Sequence, residues 1–218
     1  MVRRYKLDFD ELPIVESMSM FKGMDSDLVA RMVANGSLAE TVARAQGAVM
    51  LFHDTPKKAE SWHSGAYIRG GLAEFRAMHG ALRRDLAKAG SGERQSAHAP
   101  EDSTRPLLHL MSLLRDVEIH TSPAVLRPAE TKIRYPGRDG NEVDFPIVVI
   151  DDIDADRLRR KRETRDKYRP DDLERIVNWF SVRRHDFGAP YLLARGVELY
   201  SLEILLRHPR QVARLEQP

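Results

Sequence analysis

Between Leu107 and His120 the chain reads Leu-Leu-His-Leu-Met-Ser-Leu-Leu-Arg-Asp-Val-Glu-Ile-His without a break. Leu107, Leu110, Leu114 and Val117 recur at three- and four-residue steps with Leu113 beside them, and that period predicts one amphipathic helix. Pro123 forces Ser122 out of the helical region, so the helix is expected to stop near His120. Its last turns carry Arg115, Asp116, Glu118 and His120. A cation, two carboxylates and an imidazole are therefore concentrated at one end of an apolar seam.

The 218-residue chain can cover such a helix: its hydrophobic share of 42% suffices for one sizeable domain with appendages. Charged residues make up 31% but are mixed in sign, which argues against global disorder. A formal net charge of +2 permits a nucleic-acid partner without demanding one. Arginine outnumbers lysine, which suits phosphate recognition, although a GC-rich genome gives the same bias and is the simpler reading. With no cysteine there is no disulfide and no thiolate metal site. The basic opening Met1-Val2-Arg3-Arg4 runs into Asp8, Asp10 and Glu11 rather than an apolar core, unlike a secretory signal. No run approaches the roughly 18 apolar residues of a membrane span. The expectation is a soluble, cytoplasmic protein with no membrane partner.

Two regions are expected, an N-terminal helical arm over 1–53 and a helical domain over 54–218 with a hairpin inserted at about 130–151. Residues 1–23 are expected to form an arm or short helix with Pro13 at its start, with Met18, Met20 and Phe21 able to pack on a neighbour. Asp25 is placed to cap a helix carrying Leu28, Met32 and Val33, which Asn35-Gly36 ends. Ser37 and Glu40 have capping-box spacing for a second piece with Val42, Val49, Met50 and Phe52. Asp54-Thr55-Pro56 reads as a further helix start. Trp62, Ile68, Leu72, Phe75, Leu82 and Leu86 then predict a long helix over 59–87. Gly70-Gly71 within it costs roughly 1 kcal/mol per glycine, which implies close approach of another backbone or else a break between two helices. Residues 89–104 read as a mobile linker with nothing to bury.

Beyond the organising helix, 131–135 and 142–150 read as strands flanking a turn-rich Pro136–Asn141 segment. Val143, Phe145, Ile147 and Val149 alternate, and Pro146 marks an edge or bulge. A lone hairpin is only marginally stable, so it should lie on the helices or on a partner. Residues 151–169 form a charged connector, read as solvated surface in preference to a nucleic-acid contact. Pro170-Asp171-Asp172 opens a helix that buries Leu173, Ile176, Val177 and Phe180, and Asp186–Pro190 breaks it. A last helix over 191–207 buries Leu192, Leu193, Val197, Tyr200, Ile204 and Leu205.

The spacing Arg115-x4-His120 alone is weak, since about one such pair is expected by chance in an arginine-rich chain with 8 histidines. Its place at the end of an apolar helix, with polar Asp116 directly after the arginine, gives it weight. In Arg115-Asp116-Val117-Glu118-Ile119-His120, and in the order of long helix, variable loop and motif helix, the chain resembles the HEPN superfamily. The resemblance covers about 59–120 and extends loosely to the C-terminal helices. Asp116 stands where asparagine is commonest in that motif. The resemblance implies a mainly α, HEPN-like helical bundle with a small inserted hairpin. It further implies a homodimer whose two motifs share a cleft, and metal-independent cleavage of RNA in a defence or toxin setting, with an antitoxin or regulatory protein as partner. No cofactor and no metal are called for. His120 would move a proton at the 2′-hydroxyl or leaving oxygen, Arg115 would hold the phosphate, and Asp116 would orient the imidazole. The product would be a 2′,3′-cyclic phosphate.

Residues five apart on an ideal helix are separated by roughly 140°. Arg115 and His120 therefore meet only if the helix frays or a second copy completes the site. The plain alternative is that Arg115 bridges Asp116 or Glu118 while His120 caps the helix, in a non-catalytic helical module for dimerisation or for binding nucleic acid or protein. Other groupings are weaker. His53, Asp54 and His63 lack zinc spacing, and His79 reads as solvated beside Glu74 and Arg83. Arg183, Arg184, His185 and Asp186 sit at a helix end, where cations are expected anyway. Asp151, Asp152, Asp154 and Asp156 read as an acidic turn rather than a cation site. Walker, nucleophile-elbow and Rossmann glycine patterns are absent.

Overall fold

The computed structural model describes residues 4–13, 26–34, 38–57, 61–89, 97–120, 126–134, 142–151, 153–159 and 162–208. Met18, Met20, Phe21, Asp25, Asn35-Gly36, Ser37, Asp152 and the Pro136–Asn141 segment lie outside these. So do the side chains of Val33, Trp62, Val117, Glu118, His120 and Val143.

The described chain is mostly helical. Helices α1 (Ser26–Ala34), α2 (Ala39–His53), α3 (Ser61–Lys88) and α4 (Pro106–His120) precede strands β1 (Leu126–Arg134) and β2 (Glu142–Ile150). Helices α5 (Ala155–Arg159), α6 (Arg162–Lys167), α7 (Pro170–Phe187) and α8 (Ala189–Arg207) follow. One hydrophobic cluster runs from Leu28 in α1 to Leu205 in α8.

The α2–α3 pair shows why the paired glycines stay. A Cβ on Gly71 would lie 2.5 Å from the Phe52 ring, and one on Gly70 would lie 3.2 Å from Leu51 Cδ1. The missing side chains let α2 lie along α3, and α3 passes through both glycines unbroken, which removes the alternative of two shorter helices. The same device joins α4 to α8, where a Cβ on Gly196 would strike Met111 Sδ at 2.1 Å.

Two expected helix starts are corrected. Asp54 closes α2 rather than opening a helix: its N–H reaches the carbonyls of Met50 and Phe52, and α3 begins only at Ser61. The N-cap of α2 is Leu38, which offers no side-chain oxygen, and Glu40 pairs outward with Arg84 and Lys88 instead of closing a capping box. The cap comes from α3. Asp85, only 3% exposed, accepts from Thr41 N and Thr41 Oγ1, both at 2.8 Å, and from Glu40 N at 3.4 Å. A carboxylate delivered across the interface satisfies the free N–H groups of α2 and complements its positive end.

Elsewhere the pattern holds. Pro170 opens α7, with Asp171 and Asp172 in its first turn and Arg184 and His185 in its last, so charge and dipole agree. Gly188 (φ 81°) turns the chain between α7 and α8, the only described glycine with positive φ. All four inward residues expected of α7 and all six of α8 are buried. The strands pair antiparallel from Leu126↔Ile150 to Arg134↔Glu142, with Pro146 opposite Glu130, and the hairpin lies on α3, α7 and α8. Strand β1 begins earlier than expected, and Ile147 to Ile150 are buried consecutively, so alternation gives way where both faces are covered. The charged 151–169 stretch is not simply solvated: α5 and α6 bury Leu158 and Thr164, and Tyr168 follows them into the core.

Candidate functional site

Helix α4 changes character along its length. Pro106 to Leu114 are buried on every side, including His109 and Ser112, so this half is a central core helix rather than an amphipathic one. It surfaces at Arg115 and Asp116, whose side chains are 31% and 42% exposed. Arg115 Nη1 donates to Asp116 Oδ1 at 2.9 Å. Its Nε is buried with no hydrogen-bond partner among the described residues, as is Ser112 Oγ one turn earlier. The helix runs through His120, which keeps Arg115 and His120 five positions apart in one rod. On ideal geometry that is roughly 140° about the axis.

A basic segment adjoins this helix. Helix α5, carrying Arg157 and Arg159 beside buried Leu158, packs against α4. Helix α6 ends at Lys167, and Tyr168 then inserts against α4, near enough to Asp116 to feel its charge. Burial pushes the Tyr168 phenol up and keeps it protonated.

The densest polar geometry lies at the other end of α4, among residues that periodicity did not mark. Glu203 of α8 takes three donors: His98 Nε2 at 2.8 Å, Ser103 Oγ at 2.7 Å and Arg105 Nε at 2.8 Å. Arg105 also lies 3.5 Å from Glu11, which accepts from Thr104 Oγ1. His109 faces the Ser103 carbonyl with Nε2 at 2.8 Å, so that nitrogen carries the proton, and Nδ1 accepts from the Tyr168 hydroxyl at 2.7 Å. Tyr200 donates to the His98 carbonyl at 2.6 Å, and Arg76 makes a two-pronged pair with Glu101 at 2.6 and 2.7 Å. Far from having nothing to bury, 97–105 inserts His98, Pro100 and Ser103 and folds a short turn over Pro100–Asp102. The N-terminal strap closes over it: Asp8 N donates to the Thr104 carbonyl at 2.8 Å, and the Tyr5 ring lies 4.8 Å from the His109 ring.

Burial opposes ionisation of Glu203, but the hydrogen bonds from His98 and Ser103 outweigh it and hold the carboxyl below its ordinary range. Burial pulls His109 down, only partly offset by the Ser103 carbonyl, and so favours the neutral ring. Serine, histidine and carboxylate are all present, yet the serine hydroxyl donates to the carboxylate and not to the imidazole. That wiring fixes a loop; it does not activate a nucleophile. The sequence clue was polarity out of phase: His109 and Glu203 interrupt otherwise apolar helices.

The remaining candidates resolve plainly. His53 Nδ1 meets Asp54 at 3.0 Å, and His63 is exposed. His79 is not solvated as expected: it is half-buried, with Nε2 3.3 Å from the Ala97 carbonyl, and burial lowers its pKa. Asp151 lies between Arg127 at 2.9 Å and Arg184 at 3.8 Å, and Asp154 accepts from Arg157 N. Among the described residues no three His, Cys, Asp or Glu side chains cluster to hold a metal. No described helix is long and apolar enough to cross a membrane. Comparison with protein-family models, with curated proteins and with solved structures finds no match.

Proposed function

We propose that the surfacing end of α4 is an RNA-binding and RNA-cleaving site of the HEPN kind. The observation that carries this reading is the emergence of Arg115 and Asp116 from a fully buried helix, beside the basic α5–α6 segment. Anchoring in the core fixes the turn that presents Arg115, and a fixed cation is what positioning a phosphate requires. Arg115 would bind the scissile phosphate, with Asp116 releasing the guanidinium to it. His120 would transfer the proton, and the negative helix end would favour its imidazolium. Because Arg115 and His120 stand far apart in angle on one helix, a second copy completes the site. The setting would be a defence or toxin system with a protein regulator.

Purified protein incubated with RNA in chelator should yield 2′,3′-cyclic phosphate ends. Arg115→Ala and His120→Ala should each cut the rate by about 10²-fold or more. Cleavage unchanged in both variants sinks the assignment. The Arg115–Asp116 ion pair favours a second reading, a non-catalytic module that binds nucleic acid or protein through the same surface. Under that reading, Arg115→Ala weakens RNA retention while no cleavage is seen in the parent protein.

A further inference from the structure

Helix α3 carries two glycines, Gly70 and Gly71, that packing on α2 accounts for, and two, Gly65 and Gly80, that it does not. A Cβ on Gly70 or Gly71 would press on Leu51 or Phe52 of α2, one on Gly65 would meet the flexible end of Arg69 and touch Leu126 at 3.4 Å, and one on Gly80 would meet only the far end of Arg84, at 3.6 Å. Nothing within the described residues requires glycine there, and a glycine in a helix interior weakens the helix. Gly80 lines an open groove of about 640 Å³ together with Arg83, Arg84, Ala87 and Lys88. Arg84 and Lys88 have a partner in Glu40, at 2.7 and 2.5 Å, and stand at the negative end of α3. Arg83 is exposed and makes no hydrogen bond or ion pair with any described residue. Among the described residues the groove is thus lined by three cations, of which Arg84 and Lys88 share Glu40 and Lys88 also feels Asp85, beside the side-chain-free Gly80.

We infer that this groove binds phosphate groups, those of an oligophosphate or of a nucleic-acid backbone. The bare backbone at Gly80 admits an oxygen close to the helix, the Arg83 fork grips it, and Arg84 and Lys88 are shared between Glu40 and the ligand. The volume lies within the usual range for small-ligand clefts. The groove is on α3, and the inference does not rest on the ribonuclease reading of α4.

The test is titration of the full chain with tripolyphosphate by calorimetry, and with a fluorescent single-stranded oligonucleotide by anisotropy. Arg83→Ala and Gly80→Leu should each weaken binding by about tenfold, the loss expected of one charge-assisted contact. Glu40→Gln, which frees Arg84 and Lys88, should tighten it. Arg31→Ala in α1 and Glu174→Gln in α7 make the same changes in net charge elsewhere and should leave binding unchanged. A cooperative melt for each variant well above the temperature of the binding measurement excludes loss of fold. Binding of tripolyphosphate alone assigns a free oligophosphate; mutual competition assigns the nucleic-acid backbone. No binding of either probe at millimolar concentration overturns the inference. So does equal weakening by Arg83→Ala and Arg31→Ala, which would mark diffuse charge rather than a site.

Discussion

Asp85 shows how one side chain can decide where a helix begins. It is buried, it belongs to α3, and three donors at the start of α2 converge on its carboxylate. Asp85→Ala should lower stability by about 1–3 kcal/mol, combining a lost cap with the stranded Thr41 hydroxyl and amide. Urea denaturation, with the midpoint falling and the slope unchanged, is the check. None of this is legible in the sequence, because capping is read within a few residues and Asp85 lies 44 positions from Thr41. By contrast, Gly70 and Gly71 could be read correctly. Two adjacent glycines in a strong helical period have few physical excuses, and close approach is one of them.

At the scale of elements, periodicity located α1 to α4, α7 and α8, missed α5 and α6 in the charged stretch, and mistook two roles. Helix α4 was legible as a helix, but not as one buried on all sides from Pro106 to Leu114, because its second face is lined by Leu108 and Met111, with His109 and Ser112 satisfying or hiding their polarity. The 97–105 segment looked like linker because its cohesion is polar and long-range: Ser103 and Glu203 are 100 positions apart. Two groups packed on that segment, His109 and Glu203, contribute to acid stability. His109 is held below its ordinary 6.5 and Glu203 below its ordinary 4.5, so in both cases the unfolded chain takes up protons first as pH falls. Their contribution is complete above pH 6.5, declines below it as His109 is driven to protonate, and declines again below 4.5 for Glu203. Melting temperature should fall in two stages on acidification. Glu203→Gln should remove the second stage and destabilise the neutral protein by about 1–3 kcal/mol. A pH-melting series, with proteolysis near residue 97 as the local readout, measures both.

For the whole molecule, the mainly helical architecture with a small antiparallel hairpin followed from the sequence, because 3.6-residue and two-residue periods are properties of adjacent residues. The candidate site followed less completely. Arg115 and Asp116 emerge at the surface where a short motif suggested, but a motif contained in one helix says nothing about what faces it. If two copies share the cleft, with Arg115 of one opposite His120 of the other, mixing inactive Arg115→Ala and His120→Ala proteins should restore a fraction of the cleavage rate. Up to about one site in four is regained if subunits exchange at random and two sites form per dimer. Absence of recovery, with subunit exchange shown by mass, would place both groups of a working site in a single protomer.

The borrowed cap of α2 has a consequence for biosynthesis. The stretch that becomes α2 leaves the ribosome well before residue 85 does, and its opening amides must wait in water. A helix of this length is marginal without help. The nascent arm therefore stays unsettled until most of α3 has emerged, and the two helices acquire their order together.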